Sequence, residues 1–541
     1  MLADLPVLSL ITFSPLLGII ALLFLPKHRS GWLKTVAITA TLIPLLFSIW
    51  LYAVYQPEIG GEPYKELATW VEVPLNKETL REGITTLSLQ FQYHLGADGL
   101  SLPLVLLTAL VSTMAALASV HVKKRWKSFY VWFLLLEIGM LGVFLARDLM
   151  LFFIFFELTL ISMYFLIGIW GYFNREKAAN KFLIYNGLGS ALMLLAFVML
   201  IATAGFSLAE SETTASLFYS GNYDQIYMNL TSPDSFVNLI PDMMGGSNPF
   251  FMSEGMKWAV FILLLIAFGI KLPIFPFHTW MLKVHQEAPP SVVMIHSGVL
   301  LKMGAYGLLR FGIFLFPEQA QDWAVVLAVL GVINIIYGAL LALVQTEFKL
   351  VLGYSSISHM GIVLLGIASF NEIGLQGAVF QLVSHGLVSA LLFLIVGTLY
   401  ERTQTTSLPE LGGLARSMPF VSGILLVAGM ASLGLPGLSG FIGEFLSLLG
   451  LFDTMKWLAA IAAVGVILTA VYVLRAVLGI TYGQMPEQYS AIRDARLIEA
   501  IPMITLVAFI VLLGVYPSVL TDQLQTSFSA LFNQLSARVG G

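Results

Sequence analysis

The 541 residues include no cysteine, which excludes disulfides and any iron–sulfur or zinc centre held by thiolates. Redox chemistry linked to this chain would therefore belong to a partner. Charge is scarce: Asp, Glu, Lys and Arg make up 11% of the residues, against about 25% in an ordinary soluble domain. Hydrophobic residues make up 58% and the mean hydropathy is +0.88, so the chain reads as a polytopic membrane protein. It has no Walker sequence and no dinucleotide fingerprint, and Gly298, Gly304, Gly331 and Gly338 fit close helix packing instead. With a formal charge of -4 and no basic stripe interleaved with aromatics, nucleic acid is not an expected partner. No cofactor or metal site is expected, and the partners left are lipids and other membrane proteins. Met1-Leu-Ala-Asp-Leu-Pro lacks a basic n-region, so the first apolar run is expected to be a retained helix.

Apolar runs of membrane length fall at roughly 5–25, 35–55, 99–120, 129–146, 149–170, 181–204, 256–277, 286–312, 321–344, 350–369, 376–399, 420–449, 457–480 and 499–518, about fourteen spans in an all-α protein. The run at 420–449 is interrupted by Gly434-Leu-Pro-Gly-Leu-Ser-Gly440 and is expected to be two half-helices, with two full spans as the alternative. Basic residues gather on one side, at Lys123, Lys124, Arg125 and Lys127 and at Arg175, Lys177 and Lys181. The other side carries Glu210, Glu212, Asp224, Asp234, Asp242 and Glu254. By the positive-inside rule the basic side is cytoplasmic and both termini lie outside. A single membrane domain, 1–541, is expected, with connecting loops at about 56–98 and 205–255. Helices four to eight (129–312) and nine to thirteen (321–480) start on opposite sides of the membrane, and each group contains a broken helix, seven and twelve, as expected of two inverted five-helix repeats.

Inside these apolar segments stand a few ionisable residues. Glu157 follows five apolar residues, Lys271 precedes Pro273 and Pro276, Lys302 lies between Gly298 and Gly304, and Glu444 follows Pro436 by eight residues. Ionisable groups at membrane depth mark ion pathways by default. A nearby lysine favours the charged form of Glu157, and broken backbone can solvate Lys271. Unlike arginine, a desolvated lysine can release its proton. His359 and His385 are candidate relays, because neutral imidazole both donates and accepts. The structural alternatives are a static ion pair for Glu157 and Lys271, snorkelling for Lys302, helix bracing for the histidines and a neutral bonded acid for Glu444. His278 and His285 flank Thr279-Trp-Met-Leu-Lys-Val284, expected to be a cytoplasmic loop or proton entry rather than a zinc site. Protons are favoured over sodium, since the series lacks a cluster of oxygen ligands.

These residues also carry a resemblance. The strings Phe155-Phe-Glu-Leu-Thr, Ala267-Phe-Gly-Ile-Lys-Leu-Pro-Ile-Phe-Pro-Phe-His-Thr-Trp280, Gly298-Val-Leu-Leu-Lys-Met-Gly304, Tyr354-Ser-Ser-Ile-Ser-His-Met-Gly361 and Leu433-Gly-Leu-Pro-Gly-Leu-Ser-Gly-Phe-Ile-Gly-Glu-Phe445 resemble subunit M, or chain 4, of proton-pumping NADH–quinone oxidoreductase (respiratory complex I). That family is itself similar to cation/proton antiporter subunits. The resemblance implies fourteen helices, two inverted repeats and a hydrophilic axis through the membrane centre. It also implies a bacterial inner-membrane location beside other complex I membrane subunits, including neighbouring antiporter-like ones. It assigns proton translocation to Glu157, Lys271, Lys302, His359, His385 and Glu444, with quinone reduction elsewhere in the complex and no redox centre in this chain. Asp98, in His94-Leu-Gly-Ala-Asp-Gly-Leu-Ser101, also matches. Trp280-Met-Leu-Lys-Val-His285 departs from the family's Trp-Leu-Pro-Asp-Ala-His pattern. The other functional expectation is a subunit of a multisubunit sodium/proton antiporter.

Overall fold

The computed structural model describes residues 5–26, 28–55, 64–75, 84–122, 124–210, 215–240, 248–525 and 528–529; Lys123, Glu212 and Asp242 of the orientation argument lie outside these. The helices are α1 (Val7–Phe24), α2 (Ser30–Val54), α3 (Ser101–Ala118), α4 (Trp126–Leu145), α5 (Leu149–Trp170) and α6 (Arg175–Ala204), then the short α7 (Tyr223–Thr231). The first broken pair, α8 (Glu254–Lys271) and α9 (Thr279–Glu287), follows. Next come α10 (Pro290–Ile313), α11 (Ala324–Val344), α12 (Phe348–Ala368) and α13 (Glu372–Thr403). The second broken pair, α14 (Pro419–Ser432) and α15 (Ser439–Thr454), precedes α16 (Lys456–Thr481) and α17 (Leu497–Val515). Among the described residues twelve helices are long and apolar enough to cross a membrane, and the two broken pairs stand beside them. The chain is a multi-pass membrane protein.

Burial orders these helices. In α10 and α13 the whole apolar window is buried, whereas in α16 and α17 only 33% is. The first two form the centre and the last two leave most of their apolar surface outside. Small residues allow the central contacts. A Cβ on Gly298 would stand 3.2 Å from the Gly386 carbonyl oxygen, and one on Gly386 would stand 2.8 Å from that of Gly298.

Both interruptions fall where proline and glycine forbid a continuous ladder. The second matches the expected half-helices, with Gly434 and Gly437 at φ +77° and +91°. The first corrects the sequence reading. The segment from Thr279 to Glu287 is a helix with Trp280, Met281, Leu282, Val284 and His285 buried, not a cytoplasmic loop. Its apolar residues recur at helical spacing, but the expected pattern ended at the prolines.

The two long connections are also more ordered than loops. Strands β1 (Tyr64–Pro74), β2 (Ile84–Ala97), β3 (Phe206–Glu210) and β4 (Ala215–Ser220) form one sheet in the order β1-β2-β4-β3. β1–β2 and β3–β4 are antiparallel, and β2–β4 is parallel. Bridges from Leu95 to Ala146 and from Asp148 to Asn222 tie the sheet to the α4–α5 turn. Asp148 caps α5 by accepting from Met150 and Leu151 N–H at 2.9 and 3.0 Å, which satisfies two of the free donors at that end.

Candidate functional site: a buried polar axis

Lys271 is the last residue of α8 and 1% exposed. Among the described residues its Nζ has no hydrogen-bond partner, and it lies 4.9 Å from the Phe156 ring centre and 5.5 Å from that of Phe182, near enough for the ring faces to attract an ammonium. Glu157 on α5 acts on it electrostatically without a hydrogen bond, and the buried Glu157 Oε1 is likewise unpartnered. The two are neighbours held apart, not a closed ion pair.

Next along the axis come two histidines. His285 Nε2 lies 3.0 Å from His296 Nδ1, and both residues are fully buried. His296 packs against the Phe182 and Trp280 rings and is within electrostatic reach of both Lys271 and Lys302. It therefore couples electrostatically to both lysines. Sequence reasoning overlooked His296, although its spacing of six residues before Lys302 on one apolar helix was a usable signal. His285, expected to flank a cytoplasmic loop or proton entry, sits on a helix and lies in this interior.

Around His296 the central helix widens into a π turn, His296–Leu300, a feature that often marks functional sites. The turn presents the Ser297 carbonyl oxygen, which accepts from Lys302 Nζ at 2.6 Å. Lys302 Nζ also reaches His385 Nδ1 at 2.7 Å. It points inward and is fully buried, which rules out snorkelling. The His385 ring centre lies 5.2 Å from that of His359. His359 Nδ1 lies 3.3 Å from Glu444 Oε1 and 3.2 Å from Gln381 Nε2, and Ser432 Oγ lies 3.4 Å from its Nε2. A Cβ on Gly434 would stand 2.6 Å from Glu444 Oε2, so the break provides room for the acid. Tyr472 adds a second overlooked group: it donates to Ser355 Oγ at 2.9 Å and is electrostatically coupled to Glu444.

All six expected residues thus fall into two neighbouring groups, Glu157–Lys271 and Lys302–His385–His359–Glu444, joined by His285 and His296. His278 lies apart, with Nε2 3.1 Å from Tyr337 OH. Asp98 belongs elsewhere, to an ionic cluster beside the sheet. One of its oxygens takes Arg147 at 2.8 Å and Arg310 at 2.6 Å. Lys65 meets Asp224 at 2.6 Å, with buried His94 3.8 Å from the same carboxylate. Among the described residues no group of three or more His, Cys, Asp and Glu could hold a metal ion.

Broken helices carrying lysine and glutamate around a histidine-linked centre define an antiporter-type membrane protein. A family model described as "NADH:quinone oxidoreductase/Mrp antiporter, TM" matches residues 146–470, and the chain belongs to this family. It is 36% identical to NADH-quinone oxidoreductase subunit M of Rhodobacter capsulatus, over 98% of each chain. It is 37% identical to NAD(P)H-quinone oxidoreductase chain 4 1 of a Synechococcus strain, over 98% of this chain and 93% of that one. Its fold matches a chain of respiratory complex I from Thermus thermophilus with a TM-score of 0.79 at 29% identity, covering 97% of this chain and 99% of that one. A chain of the Mrp complex from Dietzia sp. shares the fold, with a TM-score of 0.75 at 20% identity, covering 97% and 98%.

Proposed function

We propose that the chain is the proton-translocating subunit M of a bacterial NADH–quinone oxidoreductase, moving protons while NADH oxidation and quinone reduction take place in other subunits. The observation that carries this reading is the contact series Lys302–His385–His359–Glu444, with separations of 2.7 Å at one end and 3.3 Å at the other. Each member can gain or lose a proton, and the two end contacts are joined by the His385–His359 ring contact, 5.2 Å between centres. Glu157 modulates Lys271 by distance: bringing the carboxylate closer favours the charged ammonium, and withdrawing it favours proton release toward His296 and Lys302. Glu444 stands at the exit end. The breaks at α8–α9 and α14–α15 correspond in two inverted repeats, 129–312 and 321–480, and the basic side faces the cytoplasm of a bacterial inner membrane with both termini outside.

The sodium/proton antiporter reading has behind it a family that includes Mrp antiporters and a shared fold at 20% identity, against oxidoreductase relatives at 36–37% identity. The direct test is proton-to-electron stoichiometry in proteoliposomes containing the whole complex. Lys271→Ala and Glu157→Ala should assemble and reduce quinone while pumping fewer protons per electron. Normal stoichiometry in either assembled variant would sink the assignment.

A further inference from the structure

The break after Lys271 leaves backbone groups that a buried segment must satisfy. Some are met locally. Leu272 N–H donates to Phe268 O at 2.8 Å, Ile274 N–H to Gly269 O at 2.9 Å, and Phe277 N–H to Ile274 O at 2.7 Å. Trp280 Nε1 donates to Ile270 O at 3.0 Å. Two others are met from α11. The Asn334 side chain accepts from Phe275 N–H at 2.8 Å through Oδ1 and donates to Pro273 O at 3.4 Å through Nδ2. Asn334 is fully buried. One helical turn later, Tyr337 OH lies 3.1 Å from His278 Nε2, and its ring packs edge-on against Phe275 at 5.2 Å. Positions i and i+3 of one helix thus grip the broken segment at both ends.

The adjoining face of α11 is bound closely to α12, and a Cβ on Gly361 would stand 2.9 Å from the Asn334 Cβ. A Cβ on Gly338 would stand 2.8 Å from Ser358 N and from the Tyr354 carbonyl oxygen. Ser358 Oγ donates to Ile335 O at 3.2 Å, and the residue after Ser358 is His359. Packed at this density, α11 and α12 transmit a displacement rather than absorb it.

We propose that Asn334 and Tyr337 are positioning residues that tie the backbone at the α8–α9 break, and with it the placement of Lys271, to the α11–α12 pair that carries His359. The inference rests on the proton-path reading above and adds a mechanical link to the electrostatic one. A shift of the Lys271 segment toward or away from Glu157 pulls on the α11 grip and changes how His359 meets His385 and Glu444.

The experiment uses the whole complex in proteoliposomes, measuring quinone reduction and protons pumped per electron together. Asn334→Leu and Tyr337→Phe are expected to keep electron transfer and to lower the proton ratio by the same step as Lys271→Ala. The Lys271→Ala/Asn334→Leu double variant should fall no lower than either single one, because both act on one unit. In Asn334→Asp the ratio should recover as pH is lowered from about 8 to about 6, since only the protonated acid both accepts from Phe275 and donates to Pro273. A role in bracing the fold alone would lower assembly and quinone reduction together with the ratio, whereas a positioning role lowers the ratio at unchanged quinone reduction. Should Asn334→Leu fail to assemble, Tyr337→Phe, which loses one hydroxyl, decides the matter by the same ratio. A normal ratio in the assembled variants, or additive losses in the double variant, overturns the inference while leaving the proton path standing. A normal ratio in Lys271→Ala overturns the proton path itself and the inference with it.

Discussion

A buried ammonium is costly in hydrocarbon, and the two axis lysines meet that cost differently. Lys302 has a carbonyl and an imidazole within 2.7 Å, while Lys271 meets aromatic faces and acts through space on Glu157 and His296. Lys271 is thus the residue whose state responds most to small movements. At the far end, Glu444→Gln keeps the volume and one acceptor oxygen but cannot exchange a proton as an acid. Proton transfer through this chain should slow by at least about 10²-fold with assembly intact, as read by passive proton flux in the reconstituted complex. Gly434→Ala should disturb the same place by another route. Its φ of +77° disfavours a side chain by about 1–2 kcal/mol, and the added carbon meets Glu444. The expected outcome is lower pumping with a small loss in thermal stability, and pumping equal to wild type would show that Glu444 tolerates displacement.

Among the elements, the sheet is held to the helices by charge as well as by strand pairing. Burial pushes the His94 imidazole down to about 4, partly opposed by Asp224. Burial would raise the Asp224 carboxyl, but Arg147 and then Lys65 outweigh it and hold the group below its usual range. Both signs lead to acid loosening, in separate windows. A lowered histidine keeps its full contribution above the unfolded value of about 6.5 and loses stability as pH falls from there toward 4. A lowered aspartate keeps its contribution above its unfolded value of about 3.9 and loses it as pH falls through the folded one. Hydrogen exchange of β1 and β2 should therefore rise in two stages on acidification. His94→Phe should remove the first stage and Asp224→Asn the second, and a single stage unaffected by either substitution would contradict the cluster's role.

On the scale of the whole molecule, orientation and ion choice are testable on the intact complex. The chain's lack of cysteine provides a silent background for labelling. Ser232→Cys, beyond α7 on the sheet side, should react with an impermeant maleimide in spheroplasts, whereas Lys177→Cys should react only in inverted vesicles. The opposite pattern would reverse the assigned topology. For ion choice, proton uptake driven by NADH should collapse with a protonophore and leave no sodium accumulation. Sodium accumulation that survives the protonophore would favour the antiporter reading.

From the sequence alone followed whatever depends on hydropathy and local chain chemistry. Long apolar runs must span a membrane, prolines and glycines must interrupt α8–α9 and α14–α15, and ionisable residues within such runs must turn inward. That sufficed to pick out Glu157, Lys271, Lys302, His359, His385 and Glu444 as candidates. Only the tertiary structure decided what depends on contacts between distant segments. It made a helix of Thr279–Glu287, and it joined the two long connections into one sheet, because the local hairpins β1–β2 and β3–β4 meet only through β2 and β4, more than a hundred residues apart. It set His296 between two lysines, moved Asp98 to a separate ionic cluster, and turned Asn334, one polar residue in an apolar helix, toward a backbone break about sixty residues earlier. Local patterns report where a side chain must be buried; which backbone or charge it meets there is settled by the packing of whole helices.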